Sequence, residues 1–413
     1  METFKNEQVN STKIHQKQSN VPQIRFKGFN DAWEQRRFGE LYKINNERNL
    51  IGITVDKTLS VATMKYKKDG NGSAETSVKS YKVLRIGDAG FEGHSNKQFA
   101  HGRFVVNTRG IGLMSPRFSS IRPVSMLNPL FTKKLFYLES IFRPILNQST
   151  KLGTMMNELV PEDFFKQVIL IPGIEEQNKI GNLFLDIDKF ITLHQRKCDQ
   201  LKNIKKSLLE KLFPKNGTLY PELRFKGFTD AWEQRRFGEL YKINNERNLI
   251  GITVDKTLSV ATMKYKKDGN GSAETSVKSY KVLRIGDAGF EGHSNKQFAH
   301  GRFVVNTRGI GLMSPRFSSI RPVSMLNPLF TKKLFYLESI FRPILNQSTK
   351  LGTMMNELVP EDFFKQVILI PGIEEQNKIG NLFLDIDKFI TLHQRKVEKL
   401  KKVKASLLEK MFV

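Results

Sequence analysis

The sequence predicts a mixed α+β fold, with two duplicated globular bodies joined by two long helices that form an antiparallel coiled coil. The chain has 413 residues, which suits two or three domains of roughly 150 residues each. Asp31–Lys197 recurs letter for letter as Asp230–Lys396. Each copy ends in a long proline-free stretch whose apolar residues have helical spacing. Because the two halves are the same, we expect pseudo-two-fold symmetry.

The repeat sets the predicted domain boundaries. Its offset of 199 residues is far longer than the period of solenoids and propellers, so the chain contains a duplicated domain. The alternative is a recent duplication in which only one copy works. The predicted domains are a polar leader over 1–20, the first body over 21–172, a helical region over 173–213, a linker over 214–219, the second body over 220–371 and a second helical region over 372–413.

The composition points to a polyanionic partner. There are 67 Lys and Arg against 41 Asp and Glu, a formal net charge of +26, which is typical of proteins that bind nucleic acid or an anionic surface. No run of 18 apolar residues and no apolar signal segment occur, so we expect a cytoplasmic protein. The single Cys198 excludes an intrachain disulfide and a cysteine-based zinc site.

Each body mixes strand-like and helix-like segments. One predicted helix, Pro161–Lys166, begins with a proline in its first turn. In the first body the predicted strands are Arg103–Asn107, Phe118–Val124 and Val168–Ile171, the predicted helices are Leu135–Leu146 and Pro161–Lys166, and turn-rich loops are predicted over 67–73 and 87–93.

The tail of each copy predicts one long helix. No proline interrupts Glu175–Phe213, and Pro214 follows directly. With Ile180 as heptad position a, the pattern is a coiled-coil seam that is weakened at His194 and Lys197 and is widened at position e by Phe184, Ile191, Cys198 and Leu212. His194 is predicted to be a core or register-setting residue. Pairing within the chain is preferred, and pairing with the helices of another protein is the alternative. The predicted packing residues are Ile180, Leu183, Ile187, Phe190, His194, Leu201, Ile204, Leu208, Ile379, Leu382, Ile386, Phe389, His393, Leu400, Val403 and Leu407.

The sequence lacks a recognisable catalytic constellation. Gly110–Gly112 is followed by Ser115 where a dinucleotide fingerprint needs glycine, and neither a Walker motif nor an N-P-P-F-like methyltransferase motif occurs. The acids of Pro161–Asp163 are better explained as the first turn of a helix. His94 and His101 lack metal-ligand spacing. We therefore predict a chain with no catalysis, metal or cofactor of its own, and a self-sufficient nuclease is a weaker alternative.

Basic residues interleaved with polar and aromatic ones are candidates for DNA binding. Residues 101–150 alone hold seven basic residues and one acidic residue. Arginine can read guanine edges and asparagine can read adenine, whereas lysine mainly neutralises phosphate. The candidates are Lys65, Lys67, Lys68, Arg85, Arg103, Asn107, Arg109, Arg117, Lys133, Lys134, Lys264, Lys266, Lys267, Arg284, Arg302, Asn306, Arg308, Arg316, Lys332 and Lys333.

Two repeated segments carry a family resemblance. RFKGF-x-DAWEQRRFGEL occurs at Arg25–Leu41 and Arg224–Leu240, and VILIPGIEEQNKIGNLFLDIDKFITLHQRK occurs at Val168–Lys197 and Val367–Lys396. A short apolar strand, a proline and then E-Q-x-K-I opening a long helix form a specific marker, here present twice. On these segments the chain resembles the specificity (S) subunit, HsdS, of type I restriction–modification systems across essentially its whole length.

The resemblance implies a non-catalytic DNA-binding subunit. Each body would be a target recognition domain for half of a split DNA target, and the helices would set the spacer between the halves. Two methyltransferase (M) subunits would use S-adenosylmethionine, and two restriction (R) subunits would use ATP and Mg²⁺. Because the two bodies are identical, the resemblance implies an interrupted palindrome as target. The alternative function is a scaffold whose basic bodies bind an acidic protein.

Overall fold

The structure is a computed structural model that describes residues 20–413 except 68–71, 73–75, 216 and 267–275. The DNA-binding candidates Lys68 and Lys267, nearly all of the predicted leader and most of the loop predicted over 67–73 lie outside the described residues.

The two copies contain the same elements in the same order. In the first copy these are β1 (Glu34–Arg37), α1 (Phe38–Leu41), β2 (Tyr42–Ile44), β3 (Lys82–Leu84), β4 (Ala89–Glu92), β5 (Arg103–Val106), β6 (Gly112–Met114), β7 (Ser120–Pro123), α2 (Pro129–Leu135), α3 (Glu139–Ser149), β8 (Thr150–Leu152), β9 (Asn157–Leu159), α4 (Pro161–Lys166), β10 (Val168–Ile171) and α5 (Ile174–Lys211). In the second copy they are β11 (Glu233–Arg236), α6 (Phe237–Leu240), β12 (Tyr241–Ile243), β13 (Lys281–Leu283), β14 (Ala288–Glu291), β15 (Arg302–Val305), β16 (Gly311–Met313), β17 (Ser319–Pro322), α7 (Pro328–Leu334), α8 (Glu338–Ser348), β18 (Thr349–Leu351), β19 (Asn356–Leu358), α9 (Pro360–Lys365), β20 (Val367–Ile370) and α10 (Ile373–Lys410).

The strands of each body form small antiparallel sheets. In the first copy a four-stranded sheet has the order β2-β7-β4-β5, and β3–β6 and β8–β9 form two-stranded pairs. Strand β1 pairs with β10, so that Glu34 lies opposite Ile171 and the beginning of the body is joined to its end. The second copy repeats this topology. The predicted mixed α+β class with two duplicated bodies is confirmed.

Aromatic side chains fill the core between the sheet and the helices. The ring centroids of Phe38 and Phe164 are 4.4 Å apart, and Phe104 lies 4.8 Å from Phe164. Phe136 lies 4.8 Å from Phe142 in the same cluster. Such tilted and edge contacts add to the free energy gained by burying the rings. This core supports the loops that carry the candidate site.

Two local predictions for the body are wrong. The helix predicted over Leu135–Leu146 is two helices, α2 and α3, because Phe136 turns into the aromatic core between them. The loop predicted over 87–93 contains β4. Gly90 lies in this strand, and only glycine fits there because a Cβ would be 2.7 Å from the sulfur of Met114. The glycine thus marks a close packing contact, not a turn.

The start of α5 is fixed to the body by the E-Q pair of the family marker. Arg25 makes two hydrogen bonds, of 2.7 and 2.8 Å, to the buried carboxylate of Glu176. The side chain of Gln177 accepts a hydrogen bond from the Asn128 backbone at 3.0 Å and donates one to the carbonyl of Pro172 at 2.9 Å. The family pattern contains both residues but does not show these partners, which only the structure identifies.

Gly181 is needed where α5 crosses the start of α2. A Cβ there would be 2.8 Å from Oδ1 of Asn128, the N-cap of α2. We expect Gly181→Ala to destabilise the protein by about 1–3 kcal/mol, because overpacking outweighs the gain in helix propensity. Thermal unfolding measures the change. Gly173→Ala is the control, because nothing lies within 4 Å of its added Cβ. A Gly181→Ala variant as stable as the parent protein would contradict the close crossing.

The chain forms two compact units, each containing the end of the other copy's helix. The first unit comprises the residues up to His194 together with Lys396–Val413, and the second comprises Gln195–Arg395. The units therefore divide both long helices and do not follow the predicted boundaries of the helical regions.

The helix segments within the first unit are antiparallel. Lys404 contacts Asp188 at 2.7 Å, whereas Phe412, which follows the end of α10, lies 6.0 Å from Phe184, which is earlier in α5. In the second unit, Lys205 contacts Asp387 at 2.6 Å, and Phe213 lies 6.4 Å from Phe383. The predicted antiparallel helix pairing within the chain is confirmed in each unit.

The helices bury only part of the predicted packing stripe. Ile180 and Ile187 at a are 1% and 7% exposed, and Phe184, Cys198 and Leu212 at e are buried. The predicted d residues Phe190, Ile204, Phe389 and Val403 are instead 53%, 49%, 54% and 41% exposed, although Leu183 and Leu382 at d pack against the cores. Lys197 and Lys211 also occupy d, and these charges were the signal that the d side is the weaker one. His194 and His393 are half-buried and interact with neighbouring groups.

Candidate nucleic-acid interface

A short loop between β5 and β6 presents Arg109 to solvent. Its conformation is set by Asn107, which is fully buried. The amide of Asn107 donates hydrogen bonds to the carbonyls of Gly110 at 2.6 Å and Arg85 at 3.1 Å, and its oxygen accepts one from the Arg109 backbone at 3.0 Å. Asn107, and equally Asn306 in the second copy, therefore holds the loop from inside the body and has no exposed amide for a base.

Several candidate residues meet at this loop. Tyr66 donates a hydrogen bond from its hydroxyl to the carbonyl of Ile111 at 2.8 Å, which brings the exposed Lys65 to the loop. On the other side, Nζ of Lys133 donates to the hydroxyl of Thr108 at 3.3 Å. We call this the Arg109 surface. The corresponding Arg308 surface of the second copy contains Lys264, Tyr265, Thr307, Arg308 and Lys332.

Other candidates are engaged within the body. The guanidinium of Arg85 pairs with Glu47 at 2.7 Å. Arg103 is half-buried, donates to the carbonyl of Ala62 at 3.1 Å and lies over the ring of Phe99. The matching residues of the second copy, Arg284 and Arg302, make the same contacts. We interpret these four arginines as structural.

The remaining candidates lie in three different environments. Arg117 is exposed and stacks on Phe118, and Arg316 does so on Phe317. Lys67 and Lys266 are half-buried and have interaction partners. Lys134 contacts Asp188 at 2.5 Å, and Lys333 contacts Asp387 at 2.6 Å.

The positive charge of residues 101–150 is therefore partly neutralised. Arg122 pairs with Asp88 at 2.7 Å and with Glu47 at 2.5 Å, and Arg143 pairs with Glu139 at 3.3 Å. Within the described ranges, the exposed cations of this segment that lack a carboxylate partner are Arg109, Arg117 and Lys133. These are the residues best placed to meet an external anion.

The network around Glu47 makes stability depend on pH. A hydrogen bond from Arg85, followed by one from Arg122, lowers the pKa of Glu47 from 4.5 to about 2. Because the folded pKa is the lower one, the stabilisation is fully present above pH 4.5 and is lost as the pH falls towards 2. We expect Glu47→Gln to reduce the free energy of unfolding by about 1–3 kcal/mol at pH 7 and by much less near pH 2. Urea unfolding at both pH values measures this; an equal loss at both would contradict it.

Beside each body lies a lysine that was not among the candidates predicted from the sequence. Lys404 contacts Asp188 in the first unit, and Lys205 contacts Asp387 in the second. The helix tails first differ at Cys198 and Val397, and this lysine is one of several residues that occur in both. The sequence alone therefore contained no specific signal for it.

Two kinds of site are not found in the described part of the chain. No group of three or more histidine, cysteine, aspartate or glutamate side chains is arranged to hold a metal ion there. Within the same residues, no helix combines the length and apolar character needed to cross a membrane.

The fold and the candidate site define the class as a duplicated α+β protein with a basic surface on each body. The chain is 23% identical, over 92% of its length and 90% of the relative's, to a Methanocaldococcus jannaschii protein named "Putative type I restriction enzyme MjaX specificity subunit". It shares its fold with the S subunit of a type I restriction–modification system from M. genitalium, with a TM-score of 0.52 and 11% identity over 95% of this chain and 99% of that one.

A weaker structural match was also found. The HsdS subunit of Thermoanaerobacter tengcongensis aligns with a TM-score of 0.46 and 17% identity over 92% of this chain and 96% of that one. No protein-family model matches the chain. The full-length sequence relative and the M. genitalium fold confirm the predicted resemblance to type I specificity subunits.

Proposed function

We propose that this chain is the DNA sequence-specificity subunit of a type I restriction–modification complex. The observation that carries the proposal is the occurrence, on two identical bodies, of an exposed basic surface centred on Arg109 and Arg308. Cations that lack an internal carboxylate partner bind backbone phosphate most effectively, because each contact releases condensed counterions from the DNA. The similarity to a specificity subunit over both copies supports the same function.

The proposed target is an interrupted palindrome. Bodies with identical residues over 167 positions read the same short sequence. The antiparallel helix pairing within each unit favours an inverted relation between the two readings. One half-site would then be followed by an unread gap and by its reverse complement.

Catalysis in this proposal belongs to partner subunits. Two methyltransferase subunits would methylate adenine at N6 with S-adenosylmethionine, and two restriction subunits would use ATP and Mg²⁺ to translocate and cleave DNA. The chain itself would bind DNA and assemble these partners without a cofactor of its own.

Methylome sequencing tests this function. Cells that express the chain with its methyltransferase partner should carry methylated adenine in a split palindromic motif, and cells that lack the chain should not. An asymmetric motif would overturn the palindrome but support the specificity function. Absence of any chain-dependent motif, together with DNA binding that does not depend on salt, would favour the alternative of a protein-binding scaffold.

The helices are proposed to set the gap between the half-sites. A seven-residue insertion adds about 10 Å of helix, which corresponds to roughly three base pairs at 3.4 Å each. Seven residues inserted after His194 in α5 and after His393 in α10 should therefore lengthen the gap by about three base pairs and leave both half-sites unchanged. The methylome of the variant measures the gap. An altered half-site sequence would contradict the division of roles between bodies and helices.

A further inference from the structure

An acid–base cluster beside the Arg109 surface carries more positive than negative charge. Asp188 of α5 accepts contacts from Lys134 at 2.5 Å and from Lys404 at 2.7 Å, one on each oxygen. Next to Lys134 in sequence, Lys133 donates to Thr108, the neighbour of Arg109. We call Arg109, Lys133, Lys134, Asp188 and Lys404 the Asp188 cluster. Two lysines contact the single carboxylate, and Arg109 and Lys133 add two further positive charges beside it.

The cations of the Asp188 cluster act on one another. Partial burial is the main cause that lowers the pKa of Lys133; the charge of Asp188 opposes this shift, and the positive charges of Arg109 and Lys404 add to it. A single lysine would be enough to neutralise Asp188, so the second leaves a surplus of charge. The site is open to solvent, because the side chains of Asp188 and Lys404 are 39% and 27% exposed. An external anion here would meet several donors at once.

The second unit contains the equivalent Asp387 cluster, formed by Lys205, Arg308, Lys332, Lys333 and Asp387. Lys333 and Lys205 each lie 2.6 Å from Asp387. The pKa of Lys332 is lowered by burial and then by Arg308 and Lys205. The last lysine again comes from the helix of the other copy, within a tail that is identical to its counterpart at nine of 16 positions. The same arrangement is therefore present in both units.

We propose that each cluster binds backbone phosphates of duplex DNA, with Lys404 supplying one of the phosphate contacts in the first unit and Lys205 one in the second. This inference rests on the proposed function and deepens it. Each body would then share its phosphate contact with the helix of the other copy. A helix that sets the gap would also take part in binding the half-site, so that the two functions are coupled through one lysine.

Salt-dependent binding of the full chain to a random-sequence DNA duplex tests the proposal. We expect Lys205→Ala with Lys404→Ala to reduce the slope of log affinity against log salt by about 1.8, or 0.9 per lost phosphate contact. Lys202→Ala with Lys401→Ala is the matched control, with the same charge change at equivalent exposed positions of the same helices. The control should leave the slope unchanged.

Neutralising the acidic residue of each cluster should change the DNA affinity in the opposite direction. Asp188→Asn with Asp387→Asn removes the only carboxylate of each cluster and should strengthen binding roughly threefold per cluster. A purely structural ion pair would give weaker or unchanged binding, and either result would overturn the proposal. Equal slopes for the Lys205/Lys404 pair and its control would also overturn it while leaving DNA binding intact. If the unaltered chain shows no salt-dependent binding, the proposed function fails as well.

Discussion

Phe412→Ala is expected to destabilise the first unit by about 3–5 kcal/mol, although this residue lies at the far end of the sequence. Phe412 is 7% exposed and stacks on Phe131 with ring centroids 5.4 Å apart. It also makes an edge contact with Trp33 at 6.1 Å. Removing the ring leaves a cavity between Trp33, Phe131 and Phe184. The surrounding rigid elements cannot close this cavity fully.

Each copy carries its own fluorescent reporter for this test, because the chain has two tryptophans, Trp33 and Trp232. In a Trp232→Phe background, urea unfolding followed at Trp33 should shift to lower urea when Phe412 becomes alanine. In a Trp33→Phe background the reciprocal change, Phe213→Ala, should act on Trp232, which it faces at 5.9 Å. If Phe412→Ala lowered the urea midpoint equally at Trp33 and at Trp232, the assignment of the helix end to the first unit alone would be wrong.

Much of the fold could be predicted where local signals and tertiary contacts agree. Val168–Ile171 and Pro161–Lys166 have the predicted bounds, because a short apolar run and a proline-opened turn specify those elements locally. Gly90 misled the prediction, because its flexibility is typical of a loop, yet the structure uses its small size beside Met114. That requirement is a contact between distant segments and leaves no local trace.

The candidate site was predictable in composition but not in detail. Interleaved basic residues predicted the neighbourhood of Arg109 as a DNA-binding site, whereas the spacing could not show that Asn107 is buried and that Arg103 is held against Ala62 and Phe99. Which cations have internal partners depends on carboxylates far away in sequence, such as Glu47 for Arg122. The width of the buried helix stripe was unpredictable for a related reason: both flanks of position a are apolar in the first turns, and only the body decides how much of each flank is covered.

Removal of four cations from the Arg109 and Arg308 surfaces is the prediction with the largest functional effect. The variant carries alanine at Arg109, Lys133, Arg308 and Lys332. If each residue neutralises one phosphate, the salt slope falls by about 3.6, and affinity at about 0.15 M salt falls on the order of a thousandfold. The structure favours these residues over Arg103 and Arg302, because the latter are occupied inside the body. Fluorescence anisotropy with a random duplex over a range of salt concentrations measures both quantities.

The matched control separates contact from net charge. Alanine at Arg143, Lys166, Arg342 and Lys365 removes the same four charges. Each of these residues already faces a carboxylate at 3.2–3.3 Å within its own helix. Each of these cations has a carboxylate of its own, whereas in the Asp188 and Asp387 clusters two lysines contact one carboxylate. A phosphate would therefore have to displace a one-to-one ion pair, and the control should change the slope by less than one. If the two variants lost affinity equally, the charge of the whole chain would explain binding, and the Arg109 surface would have no special role.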